Sequence, residues 1–175
     1  MEEPPLTPTS ASAFDDDSDA DICTSILTRF GNSTREDHQH LCAVIGGMAQ
    51  GFKDQNLPSS PIAYFGATCS SLDRILSEPE PSGHMIDALL TILALALRKV
   101  SPAILVKKSD LVNGLLVRAL HSSALTVAGA VSGLKCIAHL LIVGSRVNHN
   151  NWSDISQLYG FLLSFATDSR PKVEL

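Results

Sequence analysis

Residues 109–143 read SDLVNGLLVRALHSSALTVAGAVSGLKCIAHLLIV, and this stretch decides the fold. Leu111, Leu115, Leu116 and Leu120 recur at helical spacing, with Ser109 ahead of them as a capping residue. His121-Ser122-Ser123 turns the chain. A second apolar segment then runs from about Ala124 to Val143, through Val127, Val131 and Leu134. Two helix-length segments joined by so short a turn form an antiparallel pair. Nothing in the stretch alternates with the period of two that a half-buried strand requires.

The same grammar extends in both directions. Upstream, Ser18 with Asp21 resembles a capping box before Ile22, Ile26, Leu27 and Phe30, and Gly31 closes that segment. Thr34 caps a second, with Glu36 and Asp37 in the turn where the helix dipole favours acids. Its apolar stripe is Leu41, Val44, Ile45, Met48 and Phe52; Gly46, Gly47 and Gly51 weaken it by about 1 kcal/mol each, or permit close packing. Ser60-Pro61 opens a third helix, to about Ser77. Glu78-Pro79-Glu80-Pro81 must be a linker. Ser82 opens a long helix through Leu89, Leu90, Leu93 and Leu97, apolar on most sides and therefore central. Ser101-Pro102 restarts a short one to Lys108. Downstream, 144–150 is expected as a polar loop, Asn151 and Asp154 as a further box, and Ile155, Leu158, Phe161, Leu162 and Phe165 as a last helix.

The fold expected is therefore all-α: a HEAT/armadillo-like α-solenoid of antiparallel helix pairs of about 40 residues. Hydrophobic residues make up 45% of the chain and aromatics only 5%, so its core is aliphatic. Residues 1–18 carry Pro4, Pro5, Pro8 and acids, cannot bury enough apolar area to offset ordering entropy, and are expected as a disordered acidic tail. Residues 19–175 are expected as a partial helical-repeat domain. Asp168 and Val173 suit the turn and second helix of a HEAT repeat, but Glu174-Leu175 stands where an Arg is expected, so the last repeat reads as cut short.

Charge is unevenly spread. The net value is -5, yet residues 1–21 hold seven acids and no Lys or Arg, leaving eleven acids against thirteen bases in the rest. A body so near neutral gives no broad electrostatic footprint for nucleic acid. Arg98-Lys99 and Lys107-Lys108 are the basic pairs. They read first as solvated helix ends; if RNA is touched, these four are the phosphate contacts.

The chain offers little catalytic chemistry. Cys23, Cys42, Cys69 and Cys136 stand far apart among apolar neighbours and read as buried, reduced thiols, which suits the cytosol or nucleus. His38, His40 and Cys42 give H-x-H-x-C, but only His38 and Cys42 share a helix face, too few to bind a metal. Cys136 and His139 are three apart, without a visible orienting group or oxyanion hole for nucleophilic catalysis. Asp15-Asp16-Asp17 lacks the alternation of a calcium loop. No catalytic residue, cofactor, metal or small-molecule substrate is expected. There is no signal-peptide pattern at the start. Residues 124–144 are long enough to cross a bilayer, but contain Lys135 and His139, and a central Lys costs about 2.5–3.5 kcal/mol on insertion. A buried helix, packed closely at Gly129 and Gly133, is the better account, with no membrane partner.

Several strings are distinctive: Leu41-Cys-Ala-Val-Ile-Gly46, Lys53-Asp-Gln-Asn-Leu-Pro58, Ala63-Tyr-Phe-Gly-Ala-Thr-Cys-Ser-Ser-Leu-Asp73, Leu134-Lys-Cys-Ile-Ala-His-Leu-Leu141 and Asn151-Trp-Ser-Asp-Ile-Ser-Gln-Leu-Tyr159. Together they resemble the amino-terminal region of plant ribosomal RNA-processing protein 12-like proteins, over most of residues 19–173. The resemblance implies a large helical-repeat protein of the nucleus and nucleolus that assists pre-ribosomal RNA maturation and ribosomal subunit export. Such a protein binds pre-ribosomal proteins and RNA and does not cleave RNA. The family continues past Val173 with a basic run and further repeats, so this chain is expected to be a truncated member. A karyopherin-like transport adaptor, binding protein cargo with no RNA contact, is the alternative.

Overall fold

The computed structural model describes residues 21–147 and Gly160. The tail over 1–18, Ser18 of the first capping box, the Asn151–Asp154 box, the helix around Ile155–Phe165 apart from Gly160, and the Asp168–Leu175 segment lie outside the described residues.

Among the described residues seven helices follow one another: α1 (Ile22–Phe30), α2 (Glu36–Asp54), α3 (Pro61–Leu76), α4 (Gly83–Lys99), α5 (Pro102–Lys107), α6 (Ser109–His121) and α7 (Val127–Val147). Among the described residues there is no strand. The helices pair in sequence as α1/α2, α3/α4 and α5–α6/α7, and α4 packs most extensively, against α3 and α7, then α2.

Specific contacts fix the direction of each neighbour. Asp87, in the first turns of α4, meets Thr126 just ahead of α7, while Leu90 and Thr91 further along α4 meet Cys136 and Ser132 further along α7, so the two helices run parallel. His40 and His84, both near helix starts, stack with ring centroids 5.3 Å apart, so α2 runs with α4 as well. In the other layer, Arg118 near the end of α6 bonds Asp73 and Ser77 at the end of α3, and Tyr64 near the start of α3 reaches Asp21 ahead of α1. The result is two rows, α1–α3–α6 and α2–α4–α7, parallel within a row and antiparallel across. This is the HEAT/armadillo-like α-solenoid that the helix pairs predict.

The core lies between the rows and is aliphatic. On α4, Ile86, Leu89, Leu90, Ile92, Leu93 and Leu97 are fully buried, which bears out the expectation that this helix is central. Each such side chain contributes about 1.5–3 kcal/mol of burial. Tyr64 is also fully enclosed, edge-on to Phe52 at 5.0 Å, with its hydroxyl donating to Asp21 Oδ2 at 3.3 Å. Thr68 is buried with its hydroxyl turned to Met48 Sδ.

Local signals succeed at some helix starts and fail at others. Ser60 and Ser82 cap as expected, accepting from Ala63 N and Met85 N. Ser109 does not: Lys108 holds the boundary position, and the Ser109 hydroxyl donates to Val106 O at 2.9 Å, tying down the end of α5. Thr34 does not cap α2 either; Arg35 holds the boundary, and Ser33 Oγ accepts from Arg35 N and pairs with His38 Nδ1. Asp21 begins α1, but its carboxylate makes no cap bond and accepts from Tyr64 instead. A long-range partner has displaced the local one. α7 starts three residues later than expected, where Thr126 Oγ1 accepts from Gly129 N, and it continues through residues 144–147, which were expected in a loop.

The glycines divide as well. A Cβ at Gly46, Gly47 or Gly51 would meet nothing within 4 Å, so these glycines of α2 mediate no close packing. Gly129 and Gly133 do mediate it. A Cβ at Gly133 would stand 2.8 Å from Leu120 Cδ2, and one at Gly129 would collide with the Asp87 carboxylate. By length and composition α7 could cross a membrane, the one described helix of which that is so. Here Leu134, Cys136, Ile137 and Leu140 are buried against the rest of the helical stack.

Candidate functional site

The four bases singled out in the sequence sit around one turn of the chain. Arg98 and Lys99 occupy the last turn of α4, Lys107 the end of α5 and Lys108 the step into α6, and all four are exposed. α5 is only six residues long and packs on α6 and α7, so both pairs lie at the same edge of the solenoid.

Two more bases join them. Because α2, α4 and α7 are parallel, the last-turn bases of all three project at one edge: Lys53, Arg98 with Lys99, and Arg146. Among the described residues, and with Lys107 and Lys108, that edge carries six bases against Asp21, Asp54 and Asp110, and the opposite edge carries Glu36, Asp37, Asp73, Glu78, Glu80 and Asp87 against four arginines. Neither Lys53 nor Arg146 belongs to a basic pair; Lys53 directly follows the apolar stripe of α2, whereas Arg146 lies in the stretch expected as a loop and joins a helix end only because α7 runs on through Val147. Helix dipoles do not set this difference. At each edge one row presents N-termini and the other C-termini, so their partial charges offset and the side chains decide.

An apolar feature shares the basic edge. Ile62 is the second residue of α3 and Leu111 the third of α6; the two helices are parallel neighbours, and both residues are half exposed, at 49% and 50%. Leu57, in the loop before α3, is exposed to 49%.

The other candidate groups are held apart. His38 is engaged by Ser33 and lies on the Phe30 ring, at 4.4 Å between centroids. His40 faces His84 on another helix. Cys42 is half-buried, which corrects the expectation that all four thiols are fully interior. Among the described residues, no three His, Cys, Asp or Glu side chains converge as metal ligands. Cys136 is wholly buried, its thiol turned to Leu90 O at 3.8 Å rather than to His139, and burial pushes its pKa up to about 12. Burial lowers the His139 pKa. A neutral, enclosed thiol beside a weakened base is the opposite of an activated pair.

One polar seam between α4 and α7 escaped the sequence reading. Asp87 Oδ2 accepts from the Thr126 hydroxyl at 2.5 Å, while Oδ1 is buried without a hydrogen-bond partner. Burial raises the Asp87 pKa, against the pull of Thr126. The Thr91 hydroxyl bonds Asp87 O and lies 3.1 Å from Ser132 Oγ. These bonds fix the parallel register that aligns the basic ends.

Comparison with known proteins adds an independent line. The family model described as RRP12-like, N-terminal HEAT repeats, matches residues 8–174. An RRP12-like protein of Gallus gallus is 28% identical over 161 residues, which cover 86% of this chain. The chain spans only 12% of the length of that curated relative. No solved structure matches.

Proposed function

The chain belongs to the RRP12-like family, in its N-terminal HEAT-repeat region, and from that premise we propose that it serves as a non-enzymatic helical-repeat scaffold in ribosome biogenesis. It acts in the nucleus and nucleolus, presenting its surface to pre-ribosomal proteins and to precursor ribosomal RNA. The basic edge is the RNA-facing part. Arg98, Lys99, Lys107 and Lys108 contact phosphates, with Lys53 and Arg146 extending the track. The observation that carries this reading is the alignment of bases from three parallel helices and the α5 turn at one edge.

Backbone contacts of this kind bind without reading sequence, and they make affinity salt-dependent. Charge reversal at Arg98, Lys99, Lys107 and Lys108 should abolish binding to precursor ribosomal RNA. Single reversals should each weaken binding and lower the salt slope by about 1. Affinity and slope unchanged in the fourfold variant would remove RNA from the function of this region.

A second reading rests on Ile62, Leu111 and Leu57. Half-exposed aliphatic residues at one height on neighbouring helices suit a protein partner, as in a karyopherin-like adaptor that takes cargo without RNA. Pulldowns with and without ribonuclease separate the two. Partners that survive ribonuclease but are lost on Ile62→Asp with Leu111→Asp favour the adaptor.

A further inference from the structure

We propose that the apolar patch at the basic edge docks an acidic amphipathic segment of a partner protein, one that interleaves aspartates and glutamates with aliphatic side chains. The inference rests on the protein-partner reading of Ile62, Leu111 and Leu57, and it names the chemistry of that partner.

The patch is held in place by the backbone. Asn56 adopts a left-handed conformation, with φ at 53°, and turns the chain back at the end of α2. Asn56 N donates to Lys53 O at 3.1 Å and Leu57 N to Phe52 O at 2.8 Å, the paired bonds that close a helix end. In such a turn an apolar residue in the place of Leu57 commonly packs back onto its own helix. Phe52 is buried, yet Leu57 stays 49% exposed. The chain then reaches the Ser60 cap, and Ile62 follows in the first turn of α3. Along the exposed face of α3, Gly66 and Asp73 continue from Ile62; along that of α6, Gly114 and Arg118 continue from Leu111. A Cβ at either glycine would meet nothing within 4 Å, and Arg118 pairs with Asp73 at the far end. The aliphatic residues therefore stand at the mouth of an open strip between two parallel helices.

Charge selects the occupant. Lys53 lies at the Leu57 end of the patch and Lys107 and Lys108 at the Leu111 end, all three exposed. The first turn of α3 between them carries no acid, so the positive end of its dipole adds to theirs. The acids at this edge are engaged within the fold: Asp21 accepts from Tyr64, Asp54 accepts from Gln50, and Asp110 stands in the first turn of α6. Among the described residues the ion pairs lie elsewhere, at Arg35, His38 and Arg118. Bases alone would suit RNA, but single-stranded RNA is held by stacking on aromatic rings, and Phe52, Tyr64 and Phe65 are all buried. Aliphatic anchors set between bases match acids set between aliphatic side chains, a composition that orders on binding. Neighbouring helices such as α3 and α6 stand about 8–10 Å apart. Residues seven apart on a helical peptide, at about 10 Å, bridge that spacing.

Fluorescence anisotropy with the full chain and labelled peptides of about sixteen residues tests this. The probe carries leucine at helical spacing among glutamates. Its controls replace every leucine by serine, or every glutamate by glutamine. The probe should bind about tenfold more tightly than either control. Ile62→Ser, Leu111→Ser and the loop variant Leu57→Ser should each weaken it about three- to tenfold, and Lys107→Glu with Lys108→Glu about tenfold. Ile142→Ser, at an equally exposed isoleucine on α7, should leave affinity unchanged. A serine control that binds as well shows that the edge reads charge alone, as RNA would supply it, and overturns the proposal. A glutamine control that binds as well overturns the acidic partner. Self-association of the chain that Ile62→Ser and Leu111→Ser abolish, and that the probe does not displace, puts a second copy on the patch and overturns it too, as does a probe that fails to bind. Ribonuclease-resistant partners lost on Ile62→Asp with Leu111→Asp keep the protein-partner reading standing whichever way the peptides behave.

Discussion

Gly133 on α7 lies directly against Leu120 on α6, so close that a Cβ at Gly133 would stand 2.8 Å from Leu120 Cδ2. Leu120 is itself buried and has little room to withdraw. The contact sets how near the third pair of helices can close. Gly133→Val should destabilise the chain by about 1–3 kcal/mol through overpacking, read as a lower denaturant midpoint at unchanged slope. A neutral result would mean that α6 and α7 are further apart than described.

Gly47 on α2 is the converse case, with open space where a side chain would go. Gly47→Ala should stabilise by about 0.5–1 kcal/mol, because the helix gains propensity and nothing is displaced. Thermal unfolding of the variant checks this, and a fall in Tm would contradict the packing of α2.

Leu93 is fully enclosed at the centre of α4. Leu93→Ala should cost about 2–5 kcal/mol in a urea titration, the range for a buried leucine whose neighbours cannot fully close the cavity. A cost under 1 kcal/mol would place α4 at the periphery.

Asp87 should make stability depend on pH in a particular direction. Its folded pKa is raised by burial, so folding favours the protonated form. That contribution is fully present below the ordinary carboxylate pKa and is lost as pH rises through the folded value. Asp87→Asn keeps an acceptor for Thr126 and removes the charge. The variant's advantage over the parent should therefore widen from acid toward neutral pH. A gap that stays constant across this range would show that Asp87 titrates normally.

The thiols should react in order of burial. Iodoacetamide at neutral pH should modify Cys42 first, the one cysteine of the four that is not buried, and Cys136 only upon unfolding. Burial pushes the Cys69 pKa up to about 11 and that of Cys136 to about 12, which leaves almost no thiolate at either. Rapid labelling of Cys136 in the native chain would revive it as a nucleophile.

Much of this molecule is decided by local rules. Leucine spacing, Ser60-Pro61, the Glu78–Pro81 linker and the unbroken apolar surface of Leu89–Leu97 suffice to place the helices and to make α4 central, because each depends on neighbours a few residues away. The capping errors at Thr34 and Ser109 and the late start of α7 arise where a side chain had two bonding choices and the sequence offers no means to weigh them. Asp21 gave up its cap to Tyr64, 43 residues distant.

The sequence by itself determined that the chain is a stack of aliphatic helices in antiparallel pairs, and that the α2 and α4 segments end in bases. Only the tertiary structure decided that α7 also ends in a base, at Arg146, and that the three ends lie together at one edge. Lys53, Arg98 and Arg146 are separate last-turn bases until α2, α4 and α7 lie side by side, with α4 and α7 joined by Asp87 to Thr126 and Thr91 to Ser132. The physical reason is that helix periodicity and short turns are written within a few residues, whereas the register in which α4 and α7 lie side by side involves side chains about 40 positions apart, whose pairing no local pattern contains.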